Sequence, residues 1–279
     1  TWLAAFTTLK KLGMVDKMLV VAPLKPMYGT WPTEIDKYEE FNHLTWCFLH
    51  GPDKDYHLQN TDADIYLVNP EGIQWLVSKV DPTKLADVLC VDESTKFKNS
   101  GSKRFKSLRK VFPRFHYRWI GTGTPSPNGL EDLFGQIYIL DGGAALGKYI
   151  THFRNQWFYT EPWNPYNWQP LPNAFSDITT AIAPLVVVME AEDYLDMPDM
   201  MVTELYGDLP ASALSGYKKL AREMFVEYGS EEVTAVNAAA LVNKLAQVSS
   251  GMAYTDDGLV HIHDAKLLAL DGVKIGRAN

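Results

Sequence analysis

Apolar residues in the first half of the chain fall into short unbroken runs, each followed by a stretch with helical spacing. Met18-Leu19-Val20-Val21-Ala22, stopped by Pro23, is the first such run. Thr45–Leu49, Asp64–Val68, Asp87–Val91 and His116–Ile120 continue the series. Apolar runs of this length without alternation predict strands covered on both faces. Between them, residues 2–12 read as a helix ending at Gly13, a residue suited to the left-handed turn after a helix. Trp31–Tyr38 reads as another, with Thr30 as N-cap and Pro32 in the first turn. Glu71–Val80 and the basic stretch Ser102–Val111 complete the helical segments. Strand and helix alternating in this way predict an α/β fold, a mostly parallel sheet flanked by helices.

After Leu140 the pattern changes. Residues 157–175 are dense in Trp, Pro, Asn and Tyr, which predicts an irregular segment packed by its own aromatics. Ala211–Tyr228 and Val233–Ser249 carry apolar residues at helical spacing and predict two long helices packed on a neighbour. No internal repeat is present.

Composition narrows the possibilities only a little. The 279 residues suffice for one large or two modest domains with an ordinary core. No run approaches the roughly 18 apolar residues of a membrane span, so no membrane partner is expected. Cys47 and Cys90 sit inside apolar runs, without the spacing of a zinc site or a disulfide framework, and read as buried thiols in a reducing compartment. His261 and His263 alternate on a possible strand but have no Cys or carboxylate partner at metal-site spacing. The net charge of −8 conceals an uneven distribution. Lys96, Lys98, Lys103, Arg104, Lys106, Arg109, Lys110, Arg114 and Arg118 lie in one stretch free of Asp and Glu, whereas no Lys or Arg falls between Arg154 and Lys218.

The chemistry concentrates at two strand ends. Val91-Asp92-Glu93-Ser94 closes one apolar run, and Gly121-Thr122-Gly123-Thr124-Pro125 closes the next. Ligands of open α/β sheets bind at the carboxyl ends of strands. There one carboxylate can hold Mg²⁺ while its neighbour orients or deprotonates an attacking water, the arrangement that nucleoside-triphosphate hydrolysis requires. An isolated Asp-Glu would be no more than an exposed acidic turn. The hydroxyl-rich loop at the neighbouring strand end, able to hydrogen-bond to the pair, is what turns the reading toward a hydrolase.

Those two motifs, with Val21-Ala22-Pro23, Trp31-Pro32-Thr33-Glu34-Ile35, Lys98-Asn99 and the continuation Ser126-Pro127-Asn128-Gly129-Leu130-Glu131-Asp132-Leu133, resemble the first motor lobe of superfamily-two helicases and translocases. The likeness is to the Swi/Snf-related branch, in the form found in phage and bacterial DEAD/DEAH-box-like proteins. It extends weakly through Glu192–Pro198, Ser249-Ser250-Gly251 and His263–Leu267. The resemblance implies a RecA-like lobe at 1–140, a helical and irregular extension at 141–262, and the start of a second lobe at 263–279. It implies ATP and Mg²⁺ as cofactors, with Asp92 holding the metal and Glu93 as catalytic base. Asp92, Glu93, Thr122 and Thr124 would form the nucleotide site, the two threonines coupling its state to a nucleic-acid track. Pro23, Leu24 and Lys25, then Asn69, Glu71 and Gly72, match segments that touch the nucleic-acid backbone, and Lys96 and Lys98 would add phosphate contacts.

Double-stranded DNA is the expected partner, with RNA an alternative, and a hydrolysis-deficient DNA-binding scaffold is the rival in another class. The site of action implied is the cytoplasm, of the host if the gene is phage-borne. The basic stretch from Lys96 to Arg118 is either a solvated helix face or a phosphate-screening surface. The aromatics of 157–168 either pack the segment or stack on bases. The sequence also departs from the family. The Gly-x-Gly-Lys-Thr phosphate loop, placed by the family just ahead of Thr1, is not in the chain; Thr95 stands where relatives carry His, and Gly121 replaces an apolar residue. Read with the chain end at Gly276–Asn279, the first of these suggests an internal piece with little activity of its own.

Overall fold

The computed structural model describes residues 1–189, 196, 202, 204–228, 231–255 and 258–271. Most of the Glu192–Pro198 segment and residues 272–279 lie outside them. The chain divides into two compact units, Thr1–Met189 and Glu190–Asn279.

The first unit begins with α1 (Trp2–Lys11), β1 (Met18–Val21), α2 (Leu24–Tyr28), α3 (Thr30–Lys37), β2 (Trp46–Phe48) and α4 (Lys54–Asn60). It continues through β3 (Ile65–Val68), α5 (Ile73–Lys79), β4 (Val88–Asp92), α6 (Lys103–Arg109) and β5 (Tyr117–Gly121). Then follow α7 (Asp132–Asp141), α8 (Ile150–Trp157), β6 (Phe158–Glu161), β7 (Asn164–Pro170) and α9 (Ala174–Ile182). The five expected strands form one sheet in the order β2-β3-β1-β4-β5. All its pairings are parallel.

The unbroken apolar runs have the predicted cause. Leu19 and Val21, Tyr66 and Val68, Leu89 and Val91 point to one face, under α5, α6, α7 and α8. Met18 and Val20, Ile65 and Leu67, Val88 and Cys90 point to the other, under α1, α2 and α3. Each side chain on the central strands is therefore removed from water on whichever face it takes, and alternation has nothing to discriminate. β5 lies at the end of the sheet and all five of its residues are half-buried.

Three expectations need correction. Thr30 is the first residue of α3 rather than its cap; Gly29 takes that position, and α2 occupies the residues just before it. Residues 158–170 are not irregular but form an antiparallel hairpin, pairing Phe158 with Pro170 and Thr160 with Trp168, with a shift between Thr160 and Glu161. Its prolines are compatible with a two-stranded ribbon, whose outer edges require no backbone donor. Trp157 and Phe158 root the hairpin in the core, whereas Trp163 and Tyr166 are exposed.

The third correction falls in the second unit. It comprises α10 (Ala211–Glu223), β8 (Phe225–Tyr228), β9 (Glu231–Thr234), α11 (Ala238–Ser249), β10 (Met252–Tyr254), β11 (Leu259–His261) and α12 (Ala265–Asp271). The helix expected to reach Tyr228 stops at Glu223, because Met224 turns left-handed at φ 61°. Phe225, Val226 and Tyr228, which favour strands, then pair with β9. α11 begins where the Asn237 side chain accepts from the Ala240 amide at 2.8 Å. Leu220, Val226, Val233, Val248 and Ala253 form the core of this unit. His263 is buried, its Nε2 3.0 Å from the Val248 carbonyl and its Nδ1 3.2 Å from the Ala265 amide.

Candidate active site

Parallel order sends the carboxyl ends of β1, β3, β4 and β5 to the same side of the sheet. Pro23, Asn69, Asp92 and Thr122 stand at or just past those four ends. Four sequence-distant motifs are thus gathered along one edge by strand direction alone.

Asp92 is the last residue of β4 and is in register with Gly121, the last of β5. Glu93 follows in the left-handed region at φ 53°, ψ 57°, where a residue with a Cβ pays about 1–2 kcal/mol. The strained turn bends the chain into a short 3₁₀ segment, Ser94–Phe97, and the Glu93 carboxylate accepts from the Thr122 hydroxyl at 3.4 Å. Thr122 Oγ1 in turn accepts from the Thr124 amide at 3.2 Å. Asp92 Oδ2 accepts from the indole Nε1 of Trp31 at 3.0 Å. Among the described residues neither carboxylate is ion-paired, and Asp92 Oδ1 accepts no hydrogen bond.

That donor set fits Mg²⁺, which keeps waters and takes one or two carboxylates together with substrate phosphates. Among the described residues no three His, Cys, Asp or Glu side chains converge as an all-protein metal cage. A cavity of about 420 Å³ opens beside Asp92, walled by Thr1, Trp2, Trp31, Tyr38 and Phe41. A second, of about 500 Å³, lies by Gly13, Asp16 and Asp87, at the amino ends of β1 and β4.

The expected nucleic-acid residues are placed unequally. Leu24 and Lys25 are exposed on α2. Asn69 is buried and donates to Glu71 Oε2 at 3.1 Å, while Glu71 pairs with Arg104 at 2.9 Å. Gly72 lies so close to Asn69 and Val68 that a Cβ would overlap both. Lys96 is exposed, but Lys98 is held by Asp132 at 3.0 Å. In the rest of the basic stretch Arg114 pairs with Asp81, Arg109 lies over Tyr138 and Arg118 over Phe112. Lys103 and Lys106 on α6 and Lys110 just past it are exposed and, among the described residues, make no ion pair.

One residue of the site was missed by the sequence reading. Gln136, buried on α7, accepts from the Ser94 hydroxyl at 2.6 Å and donates to the Pro125 carbonyl at 2.6 Å and the Asp132 carbonyl at 2.8 Å. It ties the acidic turn to the threonine loop. Asp132 adds a second tie, accepting from Lys98 and from the Asn128 amide at 2.9 Å.

A parallel sheet with an acidic turn and a threonine loop on adjacent strand ends defines a lobe of the helicase-like kind. Residues 3–227 match the SNF2-related domain, and the chain belongs to that family. It is 34% identical over 269 residues to putative protein p41 of Acyrthosiphon pisum secondary endosymbiont phage 1, covering 91% of this chain and 58% of that one. It is 22% identical to the putative ATP-dependent helicase/translocase YwqA of Bacillus subtilis, over 74% of this chain and 22% of that protein. The chain therefore spans little more than half of the phage relative and about a fifth of the bacterial one. In structure it resembles the Sulfolobus solfataricus SWI2/SNF2 ATPase core solved in complex with dsDNA. The TM-score is 0.55 at 23% identity, over 88% of this chain and 50% of that one.

Proposed function

We propose that this chain is the first lobe of a nucleic-acid-dependent ATPase that uses ATP hydrolysis to move along double-stranded DNA. The observation that carries the reading is the Asp92–Glu93 pair at the sheet's carboxyl edge, free of cation partners among the described residues, with the Thr122 hydroxyl on Glu93. The names of the Bacillus relative and of the Sulfolobus structure support the same direction. Residues 1–140 would form the lobe proper, 141–262 its extension, and 263–279 the approach to a second lobe.

In this reading Asp92 would hold Mg²⁺, which when bound screens charge on the phosphate oxygens. Glu93 accepts the proton of the attacking water. Thr122 and Thr124 sense the Glu93 carboxylate and pass its state along the loop toward α7. Pro23, Leu24, Lys25 and the backbone of the Asn69–Gly72 turn, with Lys96, contact backbone phosphates and so position the strand without reading its sequence. The Lys98 ammonium reaches phosphate only by exchanging its Asp132 partner. Action in the cytoplasm goes with this reading; among the described residues no helix is long and apolar enough to cross a membrane.

The test is ATP hydrolysis by the full-length protein with duplex DNA, single-stranded DNA and RNA. Stimulation by duplex DNA, lost about 10²–10⁴-fold in Glu93→Gln, is the expected result. Stimulation by RNA alone would reassign the track. Duplex binding without hydrolysis would make the protein a scaffold, and full activity in Glu93→Gln would remove Glu93 from the mechanism.

A further inference from the structure

We infer that Trp31 is a positioning residue for Asp92, and that Trp2 and the bare Cα of Gly121 hold its indole in place; this rests on the motor reading above. Trp31 is buried on α3, and its Nε1–H, a group that can only donate, meets Asp92 Oδ2 at 3.0 Å. An apolar side chain at this position would pack without offering a donor, so the hydrogen bond is specific to the indole. The Trp2 ring stacks on it nearly parallel, centroids 6.1 Å apart and planes 9° from each other.

Trp2 reaches that position because β5 ends in glycine. A Cβ on Gly121 would fall inside the Trp2 ring. Gly121 is also the register partner of Asp92, so the glycine that departs from the family's apolar residue lies directly beside the carboxylate. Residues from α1 and β5 thus pack in series behind the one α3 side chain that meets the carboxylate oxygen. The indole restrains Oδ2, while Oδ1 accepts no hydrogen bond among the described residues. Partners that orient a ligating carboxylate contribute to metal affinity without touching the metal.

The experiment measures equilibrium binding of a fluorescent ADP analogue to the full-length protein as Mg²⁺ is titrated, with thermal midpoints in EDTA as the fold control. Trp31→Phe keeps an aromatic ring, though a smaller one, and loses the donor. It is expected to raise the Mg²⁺ needed for half-maximal binding about tenfold, with metal-free affinity unchanged and the EDTA midpoint lowered only by the loss of ring volume. In an Asp92→Ala background, where no acceptor remains for the indole, the same change should add nothing. Trp2→Leu, which leaves both hydrogen-bonding groups intact, should raise the requirement about threefold, and it decides the matter if Trp31→Phe does not fold. Equal Mg²⁺ dependence in the variants and the wild type, or a Trp31 effect that persists in Asp92→Ala, overturns the inference while leaving the motor reading standing. A wild-type protein that binds no Mg²⁺–nucleotide overturns both.

Discussion

The Ser94 hydroxyl donates to Gln136 Oε1 at 2.6 Å across 42 residues of sequence, and both groups are buried. The same amide satisfies Pro125, so one side chain fixes the spacing between the acidic turn and the threonine loop. Gln136→Leu preserves bulk and strands a buried hydroxyl and a carbonyl. A loss of about 2–3 kcal/mol in urea unfolding is expected. The variant's residual ATPase should show weaker stimulation by nucleic acid than the wild type.

Gly121→Ala tests the fit of Trp2 against β5. The added methyl must displace the indole, with a cost of about 1–2 kcal/mol in thermal or chemical unfolding. Trp2→Leu in the same chain should recover most of it. A glycine needed only for backbone freedom would not respond to the size of residue 2.

Asp64 predicts the acid response. Burial pushes its carboxyl up, but the amide and hydroxyl of Thr45 and the Lys10 ammonium, at 3.0 Å, outweigh this and hold it below the ordinary range. A lowered folded value means that its contribution is complete above the unfolded value of about 3.9 and is lost as pH falls through the folded one. Asp64→Asn should therefore cost about 1 kcal/mol at neutral pH. The gap to the wild type should close below about pH 4 when midpoints are followed against pH.

Cys47 and Cys90 should be inert in the native fold. Burial raises the Cys47 thiol, and burial with the nearby Asp92 charge raises Cys90 well above its usual value. A neutral disulfide reagent at pH 8 should label neither until denaturant is added. Labelling of Cys90 at the native rate of a free thiol would contradict its complete burial.

The hairpin gives a paired prediction. Trp157→Ala removes a buried ring at its root and should cost about 3–5 kcal/mol. Trp163→Ala, at an exposed position, should leave the unfolding midpoint unchanged. Any loss of single-strand binding in that second variant would show that the tip stacks on bases.

The sheet and the motif edge were legible because parallel strands bury both faces, so Met18–Val21 and Val88–Val91 stand out as unbroken apolar runs. The placement of Asp92, Glu93, Thr122 and Thr124 at strand ends was legible because charge and hydroxyls end those runs abruptly. Gln136 was not: an amide inside the apolar run Phe134–Leu140 carries no local sign of partners 42 and 11 residues away. Trp31 was noticed as part of a family-like string, but its partner Asp92 lies 61 residues on and follows only from the packing of α3 over the sheet. The 158–170 hairpin was obscured by prolines that normally argue against strands. The break at Met224 was hidden because Phe225, Val226 and Tyr228 also satisfy a helical period.

The order of the sheet has a consequence for biosynthesis. β1 is made first among the strands, yet it occupies the centre, between β3 and β4. A ribosome adding about 5–20 residues per second leaves Met18–Val21 without its second neighbour for several seconds. During that interval a fully apolar segment awaits its final environment. The edge that carries Asp92 and Thr122 cannot exist until β4 and then β5 dock beside it. Formation of that edge is thus bound to closure of long-range pairings, the slow kind.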